Sequence, residues 1–335
     1  MAQPNILIFD SGVGGLSIYQ SVREQLPEAS YTYLFDNQAF PYGELDDARL
    51  ITRVTALVSA VCTQHDIDIV VIACNTASTL VLPQLREQLA IPVVGVVPAI
   101  KPAAAQSKHK TIGLLATPAT VGRPYTSQLI ADYAKDCNLV SVGTTALVHM
   151  AERKLRGEAV NQEDLTAILA PFTATIDTLV LGCTHFPLLR DEIQQVLGES
   201  VCLIDSGTAI ARRIVSLTET LNLSSVTAAT SGNQAYATAT PIKADALSDF
   251  IRSIGFMRVS YSPAFFGSFA SRTLSVLSPY TLLLSELMAS SAWAAAITTK
   301  PKPRRLPVRL SFISLTANTS PCSLNSVRTS FSLAR

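Results

Sequence analysis

A chain of 335 residues, 48% of them hydrophobic and 15% charged, has the length for two domains and the apolar content for a substantial core, which excludes a disordered chain. The formal net charge of +1 is unevenly spread: residues 1–250 hold 16 Lys and Arg against 24 Asp and Glu, and residues 251–335 hold 10 against one, Glu286. No run of about 18 uninterrupted apolar residues occurs, which argues against a membrane span.

In chain order, MAQPNILIFD opens without the basic, long apolar profile of a secretory leader. Six cysteines (62, 74, 137, 183, 202 and 322) occur with no CxxC pair, so a cytoplasmic protein with reduced thiols is expected. NILIFD reads as a strand, LSIYQSVREQL as a helix, TYLFD as a strand, ARLITRVTALVSAVCTQ as a helix and IDIVVIAC as a strand. After IPVVGVVPAI the rhythm resumes with TIGLLAT, a helix over about 124–135, NLVSVG, a helix near 160–170 and TLVLGC. Short apolar strands alternating with amphipathic helices predict α/β architecture with open parallel sheets covered on both faces.

Two of these strands run into a cysteine. IDIVVIACNTASTL ends on Cys74, followed by Asn75 and Thr76, and IDTLVLGCTHFPLL ends on Cys183, followed by Thr184 and His185. Cys74 lies 64 residues after Asp10, and Cys183 lies 66 after Thr117. The near-equal spacings predict two similar α/β domains, each delivering one thiol from the carboxyl end of a strand, where open α/β sheets bind ligands. The tripeptide DSG, at 10–12 and again at 205–207, is a further echo.

Cysteine is often just a small buried residue, and that reading suffices for Cys62, Cys137, Cys202 and Cys322. At Cys74 and Cys183 the polar residues that follow, and the amides of a helix start, favour an activated thiol. A metal site fits less well, because His185 alone among common ligands adjoins either cysteine, and a disulfide fits the expected compartment badly. Two thiols in mirrored positions suit inversion of a stereocentre without a cofactor: one sulfur removes a proton from one face while the other delivers a proton to the opposite face. The loop DSGVGG lacks the third glycine of a dinucleotide fingerprint, since position 17 is Ser17, and no Walker lysine follows. Its glycines instead permit a tight turn that brings Asp10 and Ser11 near a ligand. PYGE reads as a rigid loop presenting Tyr42 and the Gly43 amide, or as an ordinary surface turn. His185 is either a hydrogen-bonded core histidine or a proton partner for Cys183.

DSGVGGLS, PYGE, IACNTAS, VVGVVPAI, LLATPAT, LGCTHFPLL and IDSG, in this order and spacing, closely resemble the bacterial glutamate racemases of the aspartate/glutamate racemase superfamily over roughly residues 5–255. The resemblance implies two domains with pseudo-twofold symmetry, the first discontinuous over 1–97 and 208–256 and the second over 98–207. It also implies cofactor-free two-thiol catalysis in the cytoplasm, supplying D-glutamate for peptidoglycan synthesis. By the same resemblance, Cys74 and Cys183 are the catalytic thiols, Asp10 and His185 their helpers, and Glu152 an assisting acid. Substrate contacts fall on Ser11, Tyr42, Gly43, Asn75, Thr76 and Thr184, with Thr117 and Thr120 as additions. No cofactor or metal is expected, and L- and D-glutamate are the ligands. A homodimer is in keeping with the family. A racemase of aspartate or a hydantoin is the nearest alternative. A regulatory scaffold protein, such as a gyrase inhibitor, is a second, and gyrase or nucleic-acid binding is the less favoured partner class.

Residues 257–335 fall outside the resemblance. They form a serine-rich, basic tail, with 17 serines over 251–335 and the run KPKPRRLPVRL, for which weak order is expected. Its origin as an interaction arm or as a non-functional extension stays open.

Overall fold

The computed structural model describes residues 3–221 and 232–261, which lie within one compact unit spanning residues 1–278. Elements alternate as the sequence rhythm requires. The first series is β1 (Asn5–Asp10), α1 (Leu16–Gln25), β2 (Ser30–Phe35), α2 (Asp47–Gln64), β3 (Ile69–Ile72), α3 (Asn75–Gln88) and β4 (Val93–Gly95). The second is α4 (Ile100–Gln106), β5 (Thr111–Ala116), α5 (Pro118–Val121), α6 (Pro124–Tyr133), β6 (Asn138–Gly143), α7 (Ala146–Lys154), α8 (Gln162–Leu169), β7 (Thr178–Leu181), α9 (Arg190–Leu197) and β8 (Cys202–Ile204). The chain then adds α10 (Gly207–Thr220), β9 (Gln234–Ala237), α11 (Ala244–Ser253) and β10 (Arg258–Tyr261).

Two parallel sheets result, ordered β10-β9-β2-β1-β3-β4 and β6-β5-β7-β8. The four strands β2-β1-β3-β4 thus have the same order as β6-β5-β7-β8, and the agreement reaches register. Ile6 opposes Ile69 as Ile112 opposes Thr178, the second residue of one strand facing the first of the next in both sheets. Beyond the strands, the Ala73 amide donates to the Phe9 carbonyl as the Gly182 amide donates to that of Leu115, each at 2.7 Å. The residues just before Cys74 and Cys183 are therefore held in equivalent ladders.

Continuous apolar strands are explained by burial on both faces. In β1, Ile6 and Ile8 join the core under α1, α10 and α11, whereas Leu7 and Phe9 join the core under α2 and α3. In the second sheet Leu179 and Leu181 face the core with α7, α8 and α9, and Val180 faces the one with α4 and α6.

Strand β10 pairs in parallel with β9 from Arg258 to Tyr261, so the ordered sheet extends past residue 256, where the sequence places the start of the tail. Four residues are too few to reveal a period, and it is the open edge of β9 that recruits them. The rest of the expected tail, residues 262–335, lies outside the described residues.

Candidate active site

β1 ends at Asp10, whose carboxylate folds back on the turn it begins. Oδ1 accepts from the Gly12 amide at 2.8 Å and the Ser11 hydroxyl at 3.3 Å, and Oδ2 accepts from the Thr184 hydroxyl at 2.9 Å. Asp10 is fully buried, and burial raises its pKa against the opposing charge of His185. The glycines of this turn answer to what lies beneath it. A Cβ on Gly12 would collide with the Glu152 carboxylate and one on Gly14 with the His185 ring, so only bare backbone fits over that pair. The second DSG makes the same local turn, Asp205 Oδ1 accepting from the Gly207 amide at 2.7 Å. It follows β8, however, whose counterpart in strand order is β4 and not β1. The echo is shared turn chemistry, not a pair of equivalent positions, and the Asp205 carboxylate pairs with Arg190.

Cys74 follows β3 and caps the start of α3. The Ala77 amide of the first helical turn favours the charged form of its sulfur, which lies 3.8 Å from the Ser11 hydroxyl. Burial, reinforced by the charge of Asp10, nevertheless holds its pKa well above the usual thiol range. Cys74 is therefore a thiol at neutral pH, and Asp10 reaches it through Ser11. The same helical turn carries Asn75, whose Nδ2 donates to the Gly182 carbonyl at 2.9 Å, and Thr76, whose hydroxyl lies 3.2 Å from that of Thr117. Thr120 is fully buried behind them, accepting from Thr117 at 3.0 Å.

Cys183 follows β7 in the equivalent position but has a different support. No α-helix begins there: a 3-10 turn, Phe186–Leu189, precedes α9. His185 takes the helix's place, with Nδ1 3.8 Å from Cys183 Sγ and Nε2 3.0 Å from Glu152 Oε1. Glu152, on α7, also accepts from the Val13 amide at 2.7 Å and from Arg156 one turn along at 2.5 Å. Burial disfavours charge on His185, but Cys183 and Glu152 outweigh it and push its pKa up to about 10. Burial likewise opposes the Glu152 carboxylate, and the hydrogen bond and charge of His185 overcome it, holding the pKa at about 2. At neutral pH the pair is an imidazolium and a carboxylate, and the positive ring beside Cys183 complements a thiolate there.

The two cysteines line one narrow cleft with Ser11, Tyr42, Gly43, Asn75, Thr76, Thr117, Thr184 and His185. A charge on Cys183 is one of the lesser influences that raise the pKa of Cys74, so the two sulfurs interact across the cleft. Asp10, Glu152 and Thr120 stand behind this lining. The Tyr42 hydroxyl donates to Asp36 at 2.6 Å, a residue outside the cleft lining, so it is tied up there while Tyr42 and Gly43 line the cleft. Three lining residues escaped the sequence reading: Pro41, Thr145 and Val148. Thr145 follows β6, the counterpart of β2 with its PYGE loop, so the strand correspondence was the signal that points to it. Among the described residues no group of three or more His, Cys, Asp or Glu is placed to hold a metal ion. None of their helices is long and apolar enough to cross a membrane.

Paired parallel sheets of one topology, each carrying a cysteine just beyond a central strand into a shared cleft, define an α/β protein with two thiols at one site. Residues 6–214 match the model of the Asp/Glu/Hydantoin racemase family, and the chain belongs to that family. It is 53% identical to the glutamate racemase of Vibrio vulnificus strain YJ016 over 261 residues, which cover 78% of this chain and 98% of the relative. To the glutamate racemase of Vibrio cholerae it is 55% identical over 253 residues, covering 76% and 94%. Among solved structures it resembles Escherichia coli glutamate racemase in complex with L-glutamate and the activator UDP-MurNAc-ala, at 46% identity and a TM-score of 0.74, covering 77% of this chain and 98% of that one.

Proposed function

We infer that the protein is a glutamate racemase, interconverting L- and D-glutamate and so supplying D-glutamate for peptidoglycan synthesis in the cytoplasm. The observation that carries this reading is the pair of cysteines at equivalent strand ends in one cleft, in a chain that over some three quarters of its length is more than half identical to named glutamate racemases. The two sheets with their helices are read as two domains that meet at the cleft.

In the proposed mechanism one cysteine, as thiolate, takes the α-proton, and its electron pair stays on the α-carbon and its carboxylate. The other cysteine, as thiol, gives its proton to the opposite face. The sulfurs end with exchanged protonation states, ready for the reverse direction, and no redox change or leaving group is involved. His185, oriented by Glu152, supports charge on Cys183, and Ser11 and the Ala77 amide support charge on Cys74. Thr184 is oriented by Asp10, and Thr76 and Thr117 by Thr120. These hydroxyls, with the Gly43 amide, hold the substrate and stabilise the carboxylate as it gains charge. The buried Asn75 Oδ1 has no partner among the described residues and is an acceptor suited to the substrate ammonium.

The test is to follow optical rotation of L-glutamate with the purified protein and no added cofactor. Rotation decaying to zero supports the reading, whereas persistent rotation with glutamate but decay with aspartate or a hydantoin moves the assignment to those substrates.

A further inference from the structure

We propose that Asp36 is a positioning residue for substrate binding, acting through the Tyr42 hydroxyl to fix the loop that carries Gly43 into the cleft. This rests on the reading above, in which that loop contacts glutamate.

Asp36 stands one residue beyond β2, and its amide donates to the Asp10 carbonyl at 2.9 Å, so it starts the loop at the level of the strand ends that form the site. Its fully buried carboxylate gathers donors from three directions. Oδ2 accepts from Tyr42 and from Arg53 Nε on α2, and Oδ1 accepts from Arg53 at 2.6 Å and from Thr238, just past β9, at 2.6 Å. None of these groups belongs to the cleft except Tyr42. Burial, then the Asp36 charge, keeps the Tyr42 phenol far above its ordinary pKa, so it remains a donor.

The Tyr42 ring packs on Phe9, with centroids 6.3 Å apart, an apolar contact that phenylalanine would make equally well. The hydroxyl therefore contributes direction. Tyr42 opens the short 3-10 turn Tyr42–Glu44, after which the Leu45 amide donates to the Tyr42 carbonyl at 3.3 Å, so anchoring Tyr42 sets the orientation of the next peptide. That peptide holds Gly43 opposite Thr117 and Thr145, the other wall of the cleft. A charge-assisted bond to a carboxylate is among the stronger hydrogen bonds, and losing it lets the loop sample orientations that do not bind.

The experiment compares KM and kcat for both enantiomers in the unaltered protein, Tyr42→Phe, Asp36→Asn and the double variant. The expected result is a KM raised about tenfold in Tyr42→Phe with kcat within about threefold, because the thiols are untouched. The double variant should bind no worse than the more impaired single variant, since both act on one bond. Should Asp36→Asn fail to fold, Tyr42→Phe decides alone. A KM within twofold of the unaltered protein, or a loss confined to kcat, overturns the positioning role. Inactivity of the unaltered protein on glutamate would instead bring down the racemase reading together with this one.

Discussion

His185 Nε2 lies 3.0 Å from Glu152 Oε1, both side chains are buried, and the ring's other nitrogen faces Cys183. The hydrogen bond to the Glu152 carboxylate is one of the influences that keep the imidazole protonated up to about 10. Glu152→Gln replaces the carboxylate with a neutral and weaker acceptor, and burial then pulls the ring's pKa down. The alkaline limb of the pH–rate profile is expected to move to lower pH in Glu152→Gln. A limb that stays in place would separate Glu152 from the proton chemistry.

The same pair links stability to pH. His185 is raised above its ordinary 6.5, so its contribution is complete below about 6.5 and is lost as pH climbs through about 10. Glu152 is lowered from 4.5, so its contribution is complete above about 4.5 and is lost as pH falls through about 2. Glu152→Ala, which leaves the imidazolium buried and unpaired, is expected to cost about 3–5 kcal/mol in denaturant unfolding at neutral pH. A cost under about 1 kcal/mol would show that the pair contributes no such stability.

Serine at either cysteine position leaves a hydroxyl far too weak an acid to exchange protons at neutral pH. Cys74→Ser and Cys183→Ser are each expected to lower racemisation about a thousandfold or more with the fold intact by circular dichroism. Because inversion of glutamate has an equilibrium constant of one, kcat/KM must fall equally in both directions for each variant. Substantial turnover in the double variant would remove the thiols from the mechanism.

Gly14→Ala drives a methyl group into the His185 ring. The expected effect is a fall in kcat of about a hundredfold from displacement of that ring, with a smaller change in KM. Activity close to that of the unaltered protein would mean that the turn relaxes freely over His185.

Two truncations probe the far end of the chain. Ending it after Tyr261 keeps β10 and is expected to preserve racemisation, whereas ending it after Phe256 strips the edge strand from β9 and is expected to lower the melting temperature. Equal stability of the two products would show that β10 adds nothing to the sheet.

Much of this site was legible in the sequence, because local pattern encoded it. The apolar runs into Cys74 and Cys183 announce buried parallel strands, and the matched spacings from Asp10 and Thr117 anticipate the common topology. Less legible were features set by distant chain segments. That Gly12 and Gly14 are needed for the His185–Glu152 pair follows from contacts across more than a hundred residues. Asp36 sits in an unremarkable stretch, FDNQAF, and its importance emerges only when Tyr42, Arg53 and Thr238 converge on it. The DSG repeat misled for the opposite reason: a three-residue turn recurs wherever its local chemistry is useful, without marking symmetry.

The most direct measurement is deuterium uptake at the α-carbon during the first turnovers in D2O, starting separately from L- and D-glutamate. With two sulfurs on opposite faces, the inverted product carries deuterium from the outset while unreacted substrate keeps its original hydrogen. Product that retains that hydrogen, or substrate that exchanges as fast as product forms, would contradict proton transfer by two opposed thiols.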